Sequence, residues 1–282
     1  MKLATFILDG QRHTGALTDK GLAVFNTEGD IGDLLRKGTD RAGFQALLDK
    51  STRIADPEQV RFVQPSAEPP KIICIGLNYA DHTKESPYEQ PDYPTLFLRV
   101  ATSTTGHGAV IERPMASEQL DYEGEMIVVL GKGGRHIPKD RALDCVFGYA
   151  VGNEVSVRDY QFKSPQWTVG KNFDGTGAWG PYIVTADELP PGGKGLKLQT
   201  RLNGRVVQDA DTSDMIYDVA SIVSIVSEAI TLQAGDVIFS GTPAGVGLGH
   251  KPPLWMKDGD EVEVEIERIG LLRNTIRDER KG

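Results

Sequence analysis

Two glutamates spaced two residues apart are candidate metal ligands. Glu123 and Glu125 lie in the segment LDYEGEMIVV, residues 120–129, whose apolar residues predict a strand. Side chains alternate along a strand, so both carboxylates would share a partly buried face with Ile127 and Val129. Carboxylates on such a face repel each other and lose hydration unless a cation compensates them. The alternative is a strand end with both glutamates in water, where glutamate is usually found.

A third acidic side chain completes the candidate metal site. Glu154 lies among apolar neighbours in the strand-like segment GYAVGNEV, residues 148–155. With Glu123 and Glu125 it would supply three oxygen ligands, which suit Mg²⁺ first and Mn²⁺ or Ca²⁺ as alternatives. An ion pair between Glu154 and Arg158 fits the same pattern equally well.

A histidine and a glutamate could form a catalytic dyad. His82 and Glu85 lie three residues apart in a predicted short helix that begins near Asn78, so they share a helix face. Glu85 could then orient the imidazole while His82 removes a proton from water. The alternative is a solvated histidine near a helix start. His107, in the sequence TGHG, is predicted to be a loop residue near the pocket.

The elements that must position these residues are mostly strands. Alternating or continuous apolar runs predict strands at residues 3–8, 22–25, 71–75, 95–98, 125–130, 147–157, 181–185, 236–239 and 261–266. Helical spacing predicts short helices near 30–37 and 41–50 and one strong helix at 215–230. Many strands without a regular βαβ rhythm predict an α+β protein that is mostly β.

A proline-rich stretch predicts a domain boundary. Three prolines fall within residues 65–70, which excludes a helix or a central strand there. We therefore expect a small N-terminal domain at residues 1–65 and a catalytic domain at residues 70–282.

Composition narrows the classes of partner. The net charge of −9 without a basic run argues against nucleic acid. No apolar run approaches the length of a membrane helix, and the N-terminus lacks the pattern of a signal peptide. The two cysteines, Cys74 and Cys145, are compatible with a reducing compartment. We expect a cytoplasmic protein that binds neither membrane nor nucleic acid.

Familiar motifs of other enzyme classes are absent from the sequence. The glycines at residues 245–249 have the wrong spacing for a dinucleotide site, and two prolines follow them. There is no serine nucleophile elbow, no HExxH zinc helix and no cysteine-rich zinc site.

Five segments together resemble the fumarylacetoacetate hydrolase family, in the family's order and over residues 70–276. They are the lid-like segment IGLNYADHTKE, the metal-strand segment LDYEGE, the third-ligand segment NEVSVRD, and the substrate-pocket segments GKNFD and SGTPAGVG. The resemblance is to the acylpyruvase or diketo-acid hydrolase branch. It implies a mixed β-sandwich roll with a small N-terminal α/β region, and a homodimer.

The resemblance also implies an activity and roles for individual residues. Its members bind a divalent ion through the carboxylates that match Glu123, Glu125 and Glu154, and they act on small 2-oxo acids. The implied reaction is hydrolysis of a C–C bond in a 2,4-diketo acid, through water activated by His82 and Glu85 and an enolate stabilised by the ion. The alternatives are decarboxylation of a β-keto acid such as oxaloacetate and isomerisation of a hydroxymuconate-type compound. Lys171 is implied as a catalytic and substrate-binding residue, and further substrate contacts are implied for Arg99, Gln161 and Thr242.

Two positions depart from the family's pattern. Glu154 stands where the family usually has aspartate, so the third ligand is one methylene longer. Arg99 stands where the family usually has lysine, which keeps the charge but changes its geometry. These departures leave metal binding in place and make the substrate preference less certain.

Overall fold

The computed structural model describes residues 1–85, 89 and 91–280. Strands dominate this part of the chain. In order they are β1 Lys2–Leu8, β2 Gln11–Thr18, β3 Gly21–Val24, β4 Arg53–Ala55, β5 Arg61–Phe62, β6 Ile72–Gly76, β7 Thr95–Arg99, β8 Thr104–Thr105, β9 Val110–Arg113, β10 Leu120–Asp121, β11 Gly124–Leu130, β12 Val146–Glu154, β13 Ser156–Val157, β14 Gly177–Thr185, β15 Lys197–Leu202, β16 Arg205–Asp211, β17 Val237–Phe239, β18 Glu261–Ile266 and β19 Gly270–Asp278.

Six α-helices lie in the same described part of the chain. They are α1 Ile31–Arg36, α2 Arg41–Asp49, α3 Ala80–Glu85, α4 Arg158–Gln161, α5 Thr168–Lys171 and α6 Val219–Ala229. The helix predicted at 215–230 begins only at Val219, because the Asp218 side chain caps its N-terminus by accepting from the Ser221 amide. Met215 instead forms a bridge with Tyr79. The prediction of an α+β, mostly β protein is confirmed.

The larger sheet carries the predicted site strands. Its order is β4-β3-β2-β1-β14-β12-β11-β17-β6-β7, with β5 paired to β1 and β8 to β14. Strand β1 joins the sheet by antiparallel pairing with β14, so residues 1–65 extend the same sheet that holds β11 and β12. The division at residues 65–70 stays a prediction, and the sheet is continuous across it.

A second sheet, with the order β16-β15-β18-β19-β9, packs on one face of the first. Met126 and Val128 face the core between the two sheets, together with Leu198 and Val264. The neighbouring side chains Ile127 and Val129 face the opposite core. Helices α1 and α2 pack there through residues such as Ile31, Leu35 and Phe44. The alternation predicted for β11 therefore divides it between two apolar cores.

Among the described ranges, no helix is both long enough and apolar enough to cross a membrane.

Candidate active site

The three predicted carboxylates meet at one end of the larger sheet. Glu125 lies in β11, Glu154 ends β12, and Glu123 lies in the gap between β10 and β11. Each offers an oxygen within 4.8 Å of the others, and all three are buried. The strand predicted from residue 120 to 129 is interrupted at Tyr122 and Glu123. There the Glu123 amide donates to the side-chain oxygen of Asn153 at 2.9 Å instead of to a backbone carbonyl of a neighbouring strand.

Three buried cations surround this triad. Lys171 Nζ lies 2.8 Å from Glu123 Oε2 and 3.0 Å from Glu154 Oε2. Burial alone would lower the pKa of Lys171, but these two carboxylates outweigh burial and hold the pKa above its ordinary value. The two oxygens thus already converge on one positive charge.

Arg158 binds the other side of the triad. Its Nε donates to Asp121 at 2.7 Å, and its Nη1 lies 2.6 Å from Glu123 Oε1 and 2.9 Å from the Gln161 side-chain oxygen. Its Nη2 is buried without a hydrogen-bond partner among the described residues. The predicted alternative, an ion pair between Arg158 and Glu154, is not formed, because Arg158 is directed to Asp121 and Glu123.

Arg99 lies behind Glu154. The guanidinium contacts Glu154 Oε1 at 3.3 Å and the Val155 carbonyl at 2.7 Å, and its side chain is fully buried. Arg99 does not line the cleft described below, so the structure does not bring it to the place where substrate would bind.

The site contains one more buried acidic group than buried basic groups. With every group ionised, four carboxylates and three cations leave one negative charge; the groups are Asp121, Glu123, Glu125, Glu154, Arg99, Arg158 and Lys171. Burial raises the pKa of Glu125 well above its ordinary value, and the neighbouring Glu154 and Glu123 raise it further. The all-oxygen, anionic donor set therefore fits a hard divalent ion.

The predicted dyad is formed in α3. His82 Nδ1 lies 3.0 Å from Glu85 Oε1, which leaves Nε2 as the ring nitrogen available for proton transfer. Glu85 also accepts from the amides of Gly245 at 2.9 Å and Val246 at 3.3 Å. The same carboxylate therefore orients the imidazole and fastens α3 to the loop after β17.

A narrow cleft brings most of the predicted residues together. It is lined by Ile75, Gly76, Leu77, His82, Glu123, Glu125, Glu154, Arg158, Gln161, Phe162, Trp167, Lys171, Thr242 and Leu248. The Thr242 hydroxyl is already engaged, donating to the Gly124 carbonyl at 3.0 Å and accepting from Gln208 at 2.8 Å.

His107 does not line this cleft. Its Nδ1 accepts from the Arg273 amide at 3.2 Å, and its ring packs edge-on against Phe62. His107 lies in a loop, as predicted. The expectation that it lies near the pocket is wrong, because its contact with β19 holds the imidazole away from the cleft.

Sequence reasoning missed the residues that support the triad. Asp121 accepts from Arg158 and from the amides of Gly247 and Leu248, and so ties the loop after β17 to β10. The Gln208 side chain accepts from the Gly124 amide at 2.9 Å. Asp121 and Arg158 stand inside the motif segments, but nothing in the sequence indicates that they are paired.

Comparisons with known proteins identify relatives of this chain. The family model described as "Fumarylacetoacetate (FAA) hydrolase C-terminal" matches residues 71–277. An uncharacterized protein of Archaeoglobus fulgidus is 48% identical over 77% of this chain and 82% of its own length. Two oxaloacetate tautomerases, Fahd2a of Rattus norvegicus and YisK of Bacillus subtilis, are each 40% identical over 77% of this chain. The matched region covers 70% of the length of Fahd2a and 73% of the length of YisK.

Solved structures extend the similarity to nearly the whole chain. A putative HpcE protein from Mycobacterium smegmatis superposes with a TM-score of 0.88 at 32% identity, and a fumarylacetoacetate hydrolase from Exiguobacterium antarcticum with 0.87 at 37%. A 5-carboxymethyl-2-hydroxymuconate delta-isomerase from Mycobacterium smegmatis gives 0.80 at 29%. Each match covers 99% of this chain and 100% of the other. The predicted mixed β-sandwich roll is confirmed.

Proposed function

The chain belongs to the fumarylacetoacetate hydrolase family, and from this premise we propose that it interconverts the keto and enol forms of a small 2-oxo dicarboxylate such as oxaloacetate. The observation that carries the proposal is a single cleft lined by His82, Lys171 and three buried carboxylates. The names of the 40% identical relatives support this reaction. They favour the predicted alternatives, decarboxylation of an oxaloacetate-type acid or isomerisation on the same site, over the predicted hydrolysis of a C–C bond.

The carboxylates of Glu123, Glu125 and Glu154 would hold the divalent ion, with Mg²⁺ as first choice and Mn²⁺ or Ca²⁺ as alternatives. When bound, the ion would act as a Lewis acid on the 2-oxo group and offset the charge that develops as a proton leaves the substrate. It would also add two positive charges to the buried groups, which favours an anionic substrate.

His82 is the proposed proton carrier. Its Nε2 would take a proton from C3 of the keto form and return it to the oxygen on C2, so that the ring is regenerated in each turnover. The contact between Nδ1 and Glu85 fixes the ring and stabilises the protonated imidazole. Tautomerisation needs only this proton transfer and no attacking water.

Two cations are suited to the substrate's carboxylates. Arg158 lines the cleft, and its buried Nη2 lacks a partner among the described side chains and backbone, so a carboxylate oxygen could accept from it. The Lys171 ammonium also lines the cleft. A dicarboxylate could therefore contact one of these two cations with each of its carboxylates, which a monocarboxylate could not do.

The experiment follows the decay of the enol absorbance of freshly dissolved oxaloacetate, with Mg²⁺ and with or without enzyme. Pyruvate is measured in the same samples with lactate dehydrogenase. We expect enol decay faster than with Mg²⁺ alone and no matching release of pyruvate. Release of pyruvate at the rate of enol decay would replace the proposal with decarboxylation, and an unchanged decay would refute it for oxaloacetate.

Hydrolysis of an acylpyruvate remains a second candidate, because a His82–Glu85 pair in contact at 3.0 Å could also activate water. Isomerisation of a hydroxymuconate-type compound is a third, supported by the name of one similar structure. Loss of acylpyruvate absorbance with stoichiometric release of pyruvate would favour hydrolysis.

A homodimer and a cytoplasmic location stay predictions. Leu98, Val100 and Val169 are exposed on or beside the edge strand β7 and would be available for self-association. Light scattering at micromolar concentration should give twice the 30.7 kDa chain mass; the mass of one chain would contradict the homodimer.

A further inference from the structure

Each carboxylate of the triad has one oxygen held by a fixed donor of the protein. Glu123 Oε1 faces Arg158 at 2.6 Å, Glu125 Oε2 accepts from the Gly241 amide at 2.8 Å, and Glu154 Oε1 faces Arg99 at 3.3 Å. The other oxygens of Glu123 and Glu154 face the Lys171 ammonium. On Glu123 and on Glu154, an arginine therefore holds one oxygen, and the oxygen that Lys171 contacts is the one that an ion would bind.

Of the two arginine donors, Arg158 lines the cleft and Arg99 does not. Its three guanidinium nitrogens reach Glu154, the Val155 carbonyl and the Thr176 hydroxyl at 3.3, 2.7 and 3.3 Å. Gly177 leaves the room it needs, because a Cβ there would lie 2.9 Å from Arg99 Nη1. A planar guanidinium can hold this arrangement rigidly, whereas the point charge of a lysine cannot.

The number of oxygens that each carboxylate presents matters for the choice of ion. Ca²⁺ accepts six to eight oxygens and often takes both oxygens of one carboxylate, whereas Mg²⁺ requires near-octahedral geometry with single oxygens. We infer that Arg99 is a positioning residue that keeps Glu154 Oε1 away from the ion and thereby makes the site selective for Mg²⁺ over Ca²⁺. The inference rests on the proposed function only in that the triad binds a divalent ion.

Titration calorimetry of chelator-stripped protein with Mg²⁺ and with Ca²⁺ tests it. Arg99→Lys retains the charge but loses the planar set of N–H donors. Glu154 Oε1 is then no longer held, and both oxygens of Glu154 can bind the ion. We expect the ratio of Mg²⁺ to Ca²⁺ association constants to fall by about tenfold, the lower range for partners of metal ligands. Arg113→Lys is the matched control, because Arg113 grips Asp278 at 2.7 and 2.9 Å and does not line the cleft. Its ratio should equal that of the wild type.

An unchanged ratio in folded Arg99→Lys overturns the role of Arg99 and leaves the proposed function intact. If the wild-type protein binds neither Mg²⁺ nor Ca²⁺, both the role of Arg99 and the proposed function are overturned. Should Arg99→Lys fail to fold by circular dichroism, a crystal structure of the wild type with Mn²⁺ decides. The inference is supported if Glu154 Oε1 contacts Arg99 and only the other oxygen of Glu154 binds the ion. It is overturned if both oxygens of Glu154 bind the ion.

Discussion

Two clusters of carboxylates and cations in the protein differ in burial and in the direction in which the pKa of a central glutamate is shifted. On the smaller sheet, Arg201 and Arg273 contact Glu263 at 2.9 and 2.7 Å, and Arg201 also contacts Glu265 at 2.8 Å. Burial would raise the pKa of Glu263, but hydrogen bonds from both arginines outweigh it and lower the pKa. In the triad the pKa of Glu125 is raised. Glu263 is thus stabilised in its ionised form by two arginines, whereas burial and two neighbouring carboxylates disfavour the ionised form of Glu125.

The largest expected effect is on proton transfer. In His82→Ala the base is lost, so turnover should fall by about two to four orders of magnitude. The Mg²⁺ affinity measured by calorimetry should change little, because His82 lies outside the triad. Glu85→Gln should also lose turnover, since the imidazole loses its charged partner and α3 a strong acceptor.

Wild-type turnover in either variant would remove the dyad from the mechanism. Glu263→Gln serves as the control from the surface cluster, and its turnover should not change.

The next effect concerns metal affinity at the buried cluster. Glu154→Gln removes a negative charge and should weaken Mg²⁺ binding by more than about a hundredfold, above the range for residues that only support ligands. Glu154→Asp keeps the charge but shortens the reach, so it should bind more weakly than wild type and more tightly than Glu154→Gln. Calorimetry that shows unchanged affinity for Glu154→Gln would leave a site of two carboxylates.

The smallest effect is expected at the surface cluster. Arg273→Ala should change the free energy of unfolding by at most about 1 kcal/mol, because solvent and salt screen an exposed pair. Arg158→Ala should cost about 3–5 kcal/mol, since it leaves the buried Asp121 and Glu123 without their partner. Urea unfolding followed by circular dichroism compares the two. Equal losses would contradict the contrast between the clusters.

Local patterns in the sequence predicted the strands that carry two of the candidate ligands. The strands predicted at residues 125–130 and 147–157 correspond to β11, which carries Glu125, and to β12, which ends at Glu154. Spacing also brought His82 and Glu85 onto one helix face. These features depend on neighbours in sequence, which a single chain reveals directly.

Long-range partners could not be predicted in the same way. The Gln208 side chain reaches the Gly124 amide across 84 residues, and Arg99 reaches Glu154 across 55. Such contacts depend on strand order and on which polar side chains become buried, and neither is encoded in local periodicity. Arg99 was therefore predicted as a substrate contact, although it lies behind a predicted metal ligand.

The central claim is that the triad and His82 move a proton at C3 of a 2-oxo dicarboxylate. Proton NMR in D₂O tests it directly, through the rate at which deuterium replaces the C3 protons of oxaloacetate. Chelator-stripped wild type should exchange them no faster than buffer, and added Mg²⁺ should accelerate exchange beyond the rate with Mg²⁺ alone. The acceleration should disappear in His82→Ala and in Glu125→Gln. Acceleration by stripped protein, or by either variant at the wild-type rate, would contradict the account.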